Sequence, residues 1–296
     1  MGRRTDLALE EKELWEESAQ DATALSGVRA REHDEQGVHI TEVEVLDGQG
    51  AAALHKPVGT YLTLELTALH RRERDGFRGA AEALGRQLRG LLRLDDAACV
   101  LVAGLGNAAI TPDAVGPKAL EHLLITRHLV EQSPAFFQDY RSVAAVAPGV
   151  LGITGLESAE VVHGVVEKAR PDCMIVVDAL ASRSLARICT TVQLADTGIT
   201  PGSGIHNARE AFDQARFGIP VVAVGVPTVV DVETLLQDFG RPGGPETEEL
   251  TAGRQMIVTP RDIDARVEQI AKLVAYGINL AVHQGLSVDD IAYLVE

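Results

Sequence analysis

Short β-branched apolar runs alternate with amphipathic stretches along this chain. Val38, Ile40, Val43 and Val45, and then Tyr61–Leu66, recur with a period near two and predict half-buried strands. Arg71–Arg93, rich in Arg, Ala and Leu, predicts an amphipathic helix. Ahead of these, residues 7–25 are acidic and helix-prone, with Leu7, Leu9, Leu14 and Trp15 as docking points. From Cys99 onward the runs become shorter and wholly apolar: Cys99–Ala103, Val143–Val146, Met174–Val177 and Val221–Val226, each ending at a loop rich in Gly, Pro or Asp. Gly116–Leu129 and Val161–Ala169 read as helices between them, and Pro260–His283 as a final helix with apolar residues at 263, 267, 270, 274 and 278. Buried strands alternating with helices predict an α/β fold. It would have a mainly parallel central sheet, helices on both faces and an N-terminal β-containing extension. Residues 240–253 have the composition of a surface loop.

The chain has 296 residues and a formal net charge of −16, which argues against a broad electrostatic footprint on nucleic acid or on an anionic membrane. No apolar run is long enough to span a bilayer, and the start leads into Glu10-Glu11-Lys12-Glu13 instead of a signal core. Cys99, Cys173 and Cys189 fit no CxxC spacing and read as core residues in a reducing cytoplasm.

In open parallel sheets, reactive groups gather at the carboxyl ends of strands. There the sequence offers Asn107 and Asp113 in "GLGNAAITPDAVGP", Asp178 in "VVDALASRS", Asp196 and His206 around "TPGSGIHN", and Asp231 after "PTVV". The glycine-rich loop lacks the third glycine of GxGxxG and has no GxxxxGK[ST], so it is a weak nucleotide signal. Two acids held close together cannot both ionise easily; such a pair activates water and protonates a leaving group. Asp113 and Asp178 each follow a different buried run and are the candidate pair, each with the competing role of a helix cap. Metal-assisted hydrolysis by the same acids with His206, and a non-catalytic module for a small ligand, stay open from the residues alone. Ser203, in "PGSGI" and not GxSxG, gives little support to a serine triad.

Taken together, "RTDLALE", "EQGVHITEVEV", "GTYLTLE", "TPDAVGPKALEHLLITRHL", "VAPGVLGITGLES", "VVDALASRS", "DTGITPGSGIHNARE", "GIPVVAVGVPTVVD" and "MIVTPRDID" resemble the germination protease family of spore-forming bacteria over nearly the whole chain. The resemblance implies an atypical aspartic endopeptidase of the spore core. It would be without cofactor, assembled as a homotetramer, and made as a zymogen that begins the degradation of small acid-soluble spore proteins. It places the catalytic aspartates at Asp113 and Asp178 and relates the fold to the hydrogenase-maturation endopeptidases, so that the α/β sheet would be phosphorylase/hydrolase-like. It also implies cleavage after an acid that precedes a hydrophobic residue and Ala. Thr5-Asp6-Leu7-Ala8 fits that rule, so residues 1–6 are expected to be a propeptide cut between Asp6 and Leu7. Residues 7–296 would then form a single peptidase domain, with 7–95 an N-terminal subregion and 96–296 the core. Asn107 is a candidate oxyanion donor, and Arg183 and Arg209 are candidate partners for the substrate's acid. Against the family's pattern, the 232–255 segment is short and His206 replaces a small residue.

Overall fold

The computed structural model describes residues 5–18, 25–95, 97–205, 209–239 and 256–295. Its described strands are Val28–Glu35 (β1), Val38–Val45 (β2), Gly59–Glu65 (β3), Val100–Gly104 (β4), Val143–Val146 (β5), Cys173–Ser182 (β6), Thr191–Ala195 (β7), Val221–Asp231 (β8) and Ile257–Val258 (β9). They form one sheet in the order β1-β2-β3-β7-β8-β6-β4-β5, with β9 added beside β8. The strands β5, β4, β6 and β8 are parallel, as the apolar runs predicted. The N-terminal strands join the same sheet antiparallel, through β3 on β7. β8 is buried along its whole length, as expected of a strand covered on both faces.

Side-chain alternation sorts the core into layers. Val100, Val102, Ile175, Val177, Val222 and Val224 face one side, packed with helices Gly76–Leu92, Val115–Leu120 and Ile263–Val282. Leu101, Ala103, Met174 and Val176 face the other, under helix Ser158–Ala169 and the stacked rings of Phe212 and Phe217. A smaller cluster of Val43, Val45, Tyr61 and Ala195 receives Ala8 and Trp15 from helix Ala8–Ser18.

Four elements depart from the expectations. β1 (VRAREHDE) has no apolar face: six of its residues are exposed at the sheet's edge, where charge blocks further pairing. The helix expected over 116–129 stops at Leu120 and resumes at Arg127–Gln132. The side chain of Asn279 captures the chain between them, accepting from Leu124 N–H at 3.0 Å and donating to His122 C=O at 3.0 Å. β6 continues four residues past Asp178, so no helix begins at Ala179. A second C-terminal helix, Val288–Val295, follows the one expected. The 240–253 loop lies outside the described residues.

Candidate active site

The chain leaves β4 for β5 on one side and leaves β6 for β7 and β8 on the other, so the sheet has a switch point between β4 and β6, where open α/β sheets place their sites. The two candidate aspartates sit there.

Asp113 ends a turn of 3₁₀ helix, Thr111–Asp113, stiffened by Pro112. The loop after β4 is folded around this residue. Asn107 N–H donates to Asp113 Oδ2 at 2.8 Å, Asp113 N–H donates to Ile110 C=O at 2.8 Å, and Asn107 Oδ1 accepts from Ala109 N–H at 3.0 Å. Gly106 has φ +109, and a Cβ there would lie 1.9 Å from the Asp113 carbonyl oxygen; only glycine fits. Leu105 N–H is bonded to Val177 C=O at 2.8 Å. The Leu105 and Asn107 amides, which a phosphate cradle would draw on, are therefore already used, and Gly106 makes room for Asp113.

Asp178 lies within β6, 4% exposed, on the face of Met174 and Val176 just beyond their apolar patch. Burial drives its pKa well above the usual carboxylate range, and the nearby Asp113 raises it further, with Asp6 adding a smaller push. Only the Ala179 N–H, 2.9 Å from Oδ1, works in the opposite direction. Burial raises Asp113 too, opposed by the Asn107 N–H. The arrangement is thus a buried acid, Asp178, beside a half-buried one, Asp113, with the proton favoured on Asp178.

Both acids line a cavity of about 410 Å³, and Asp6 borders it. Asp6 also borders an adjoining cavity that contains Lys56, Gln193 and Ser203, with Leu180 lining both. The chain at Asp6 is held like a bound peptide. Its N–H donates to Ala181 C=O at 3.0 Å, while its carboxylate accepts from Ala181 N–H at 2.9 Å and from Ser203 Oγ at 2.5 Å. Its carbonyl oxygen accepts from Lys56 Nζ at 2.8 Å and Gln193 Nε2 at 3.2 Å. The Gln193 Oε1 then accepts from Ala8 N–H at 2.7 Å, so one amide side chain grips both sides of the Asp6–Leu7 bond. Leu7 itself is fully buried.

Of the cationic candidates, Arg209 lines the acid-pair cavity, with Glu157 3.4 Å away. Arg183 is elsewhere, paired with Glu17 at 2.9 Å and Asp238 at 2.8 Å, which tie the N-terminal helix to the sheet. Asn107 also lines the cavity, with its backbone N–H committed to Asp113. His206 lies outside the described residues, and among those described no three His, Cys, Asp or Glu side chains are grouped to hold a metal ion. Sequence reasoning did not find Lys56 or Gln193. The one available signal was a glutamine inside the buried strand TVQLA.

A family model described as germination protease matches residues 5–239. The chain is 40% identical to a germination protease of Caldanaerobacter subterraneus subsp. tengcongensis, covering all of this chain and 98% of the relative. It is 38% identical to that of Clostridium tetani, over 98% of each. Among solved structures it has a remote likeness to the [NiFe] hydrogenase maturation protease HycI from Thermococcus kodakarensis KOD1. That match has 17% identity and a TM-score of 0.33, over 61% of this chain and 92% of that one.

Proposed function

This chain belongs to the germination protease family and is a peptidase acting in spore germination, and from that premise we propose that Asp113 and Asp178 carry out its chemistry on acidic sites. In this reading it cleaves small acid-soluble spore proteins after Asp or Glu, as a homotetramer in the spore core, and removes its own residues 1–6. The observation that carries the proposal is the seating of Asp6. A segment that fits the cleavage rule lies with its acid against the cavity of the two aspartates.

Asp113, the less perturbed acid, acts as the ionised base, and Asp178 holds the proton. Asp113 takes a proton from water, whose oxygen bonds to the carbonyl carbon. As the C–N bond breaks, the Asp178 proton passes to the departing amine. Lys56 and Gln193 stabilise the charge that grows on the carbonyl oxygen, since both already donate to Asp6 C=O. The acid before the cut is read by a hydroxyl and a backbone N–H, Ser203 and Ala181, and no arginine is needed.

Protein lacking residues 1–6 is expected to cut a peptide containing Thr-Asp-Leu-Ala between Asp and Leu, and to leave the Thr-Asn-Leu-Ala peptide intact. Asp113→Asn and Asp178→Asn are each expected to lower kcat by about 10²- to 10⁴-fold. Equal cleavage of both peptides would reject the acid-reading site, full activity in either variant would reject the pair, and activity abolished by chelation would favour a metal-assisted mechanism.

A further inference from the structure

β6 and β8 pair in register from Met174 with Val221 to Leu180 with Pro227, then resume at Ala181 with Val229. Thr228 is left opposite no residue of β6. The cause is in the sequence: Pro227 has no N–H to give to a ladder, and proline within a sheet belongs at a bulge. A bulge re-aims the side chain it displaces.

Thr228 is 1% exposed and lines the cavity that contains Asp113 and Asp178. Its carbonyl is in use, accepting from Thr259 Oγ1 at 2.9 Å. Its hydroxyl is not: Oγ1 has no hydrogen-bond partner among the described residues. An unpaired buried hydroxyl destabilises a fold, and valine would fill nearly the same volume without that cost. No hydrogen bond of the fold uses the hydroxyl among the described residues, yet Thr228 lines the cavity in which a water must be held beside two carboxylates. A site able to offer a water several polar partners is where such a hydroxyl is satisfied.

We propose that Thr228 is a third catalytic residue, its Oγ1 hydrogen-bonding the water that the aspartate pair activates. The bulge then has a purpose: it sets Thr228 in the lining of the cavity that holds the acid after β4 and the acid within β6. This assignment rests on the proteolytic reading above. With the water held by Thr228 and the ionised carboxylate together, a lone pair on its oxygen is left to meet the carbonyl carbon.

The test is steady-state kinetics of Thr228→Val and Thr228→Ser on the Thr-Asp-Leu-Ala peptide, together with their thermal unfolding. Thr228→Val is expected to lose about 10- to 100-fold in kcat, with KM within about twofold of the parent. Its Tm should be equal or higher, because no hydrogen bond within the protein is removed. Thr228→Ser should retain kcat within about threefold of the parent. An unchanged kcat in Thr228→Val would overturn the proposal. So would a lowered Tm that serine restores without restoring kcat, since that pattern marks a structural hydroxyl. Should the valine variant fail to fold, Thr228→Ala against Thr228→Ser gives the same comparison. A parent enzyme that cuts nothing would remove the proteolytic reading and this assignment with it, whereas normal cleavage by both parent and valine variant removes only the role of Thr228.

Discussion

Asp178 shows what a buried carboxyl takes from the stability of the fold. Its carboxyl is buried beside Asp113, so folding favours the protonated form. A folded pKa above the unfolded one means the native state binds more protons, and stability falls as pH rises between the two values. The penalty is absent below the ordinary carboxylate range near about 3.9, grows as pH climbs through that range, and is constant once the folded group has ionised. Asp178→Asn keeps the shape and removes the titration. Its Tm is expected to match the parent's at about pH 3 and to exceed it increasingly toward pH 7. Thermal unfolding across that range checks this; a constant difference between the two proteins would show that Asp178 carries no such burden.

At the scale of elements, the N-terminal segment is pinned by Glu10, whose side chain is 1% exposed. Its carboxylate accepts from Arg183 N–H at 2.6 Å, Ser184 N–H at 3.0 Å, Arg187 Nη1 at 3.0 Å and the Thr5 hydroxyl. Glu10→Ala strands these donors in a poorly hydrated place and should cost about 2–4 kcal/mol, seen as a lower denaturant midpoint. An unchanged midpoint would mean the segment is not anchored there. None of this is legible in "EEKE", because every Glu10 partner named except Thr5 stands more than 170 residues away. The same limit explains the helix that stops at Leu120: the residue that captures the chain, Asn279, belongs to the last long helix. By contrast, the parallel strands and both aspartates were legible, because buried β-branched runs and the acids that follow them are local signals. The strand carrying Asp178 was read too short. Ala179–Ser182 is separated from the β-branched run by the polar Asp178 and is drawn into the ladder by β8.

At the scale of the whole molecule, sheet topology does the assembling. The switch between β4 and β6 brings Asp113 and Asp178 together, the β8 bulge adds Thr228, and β7 adds Gln193 from the antiparallel half. The chain's own Asp6 lies across both cavities, so in this form the protein occupies its own cleft. In the proposed reading, that occupancy would keep the full-length chain inactive and position it as its own first substrate. Intact-mass and N-terminal analysis of purified full-length protein, parent beside Asp178→Asn, tests the account most directly. The parent is expected to convert to a chain beginning at Leu7 while Asp178→Asn keeps residues 1–6; conversion of both at the same rate, or an active parent that never exposes Leu7, would contradict it.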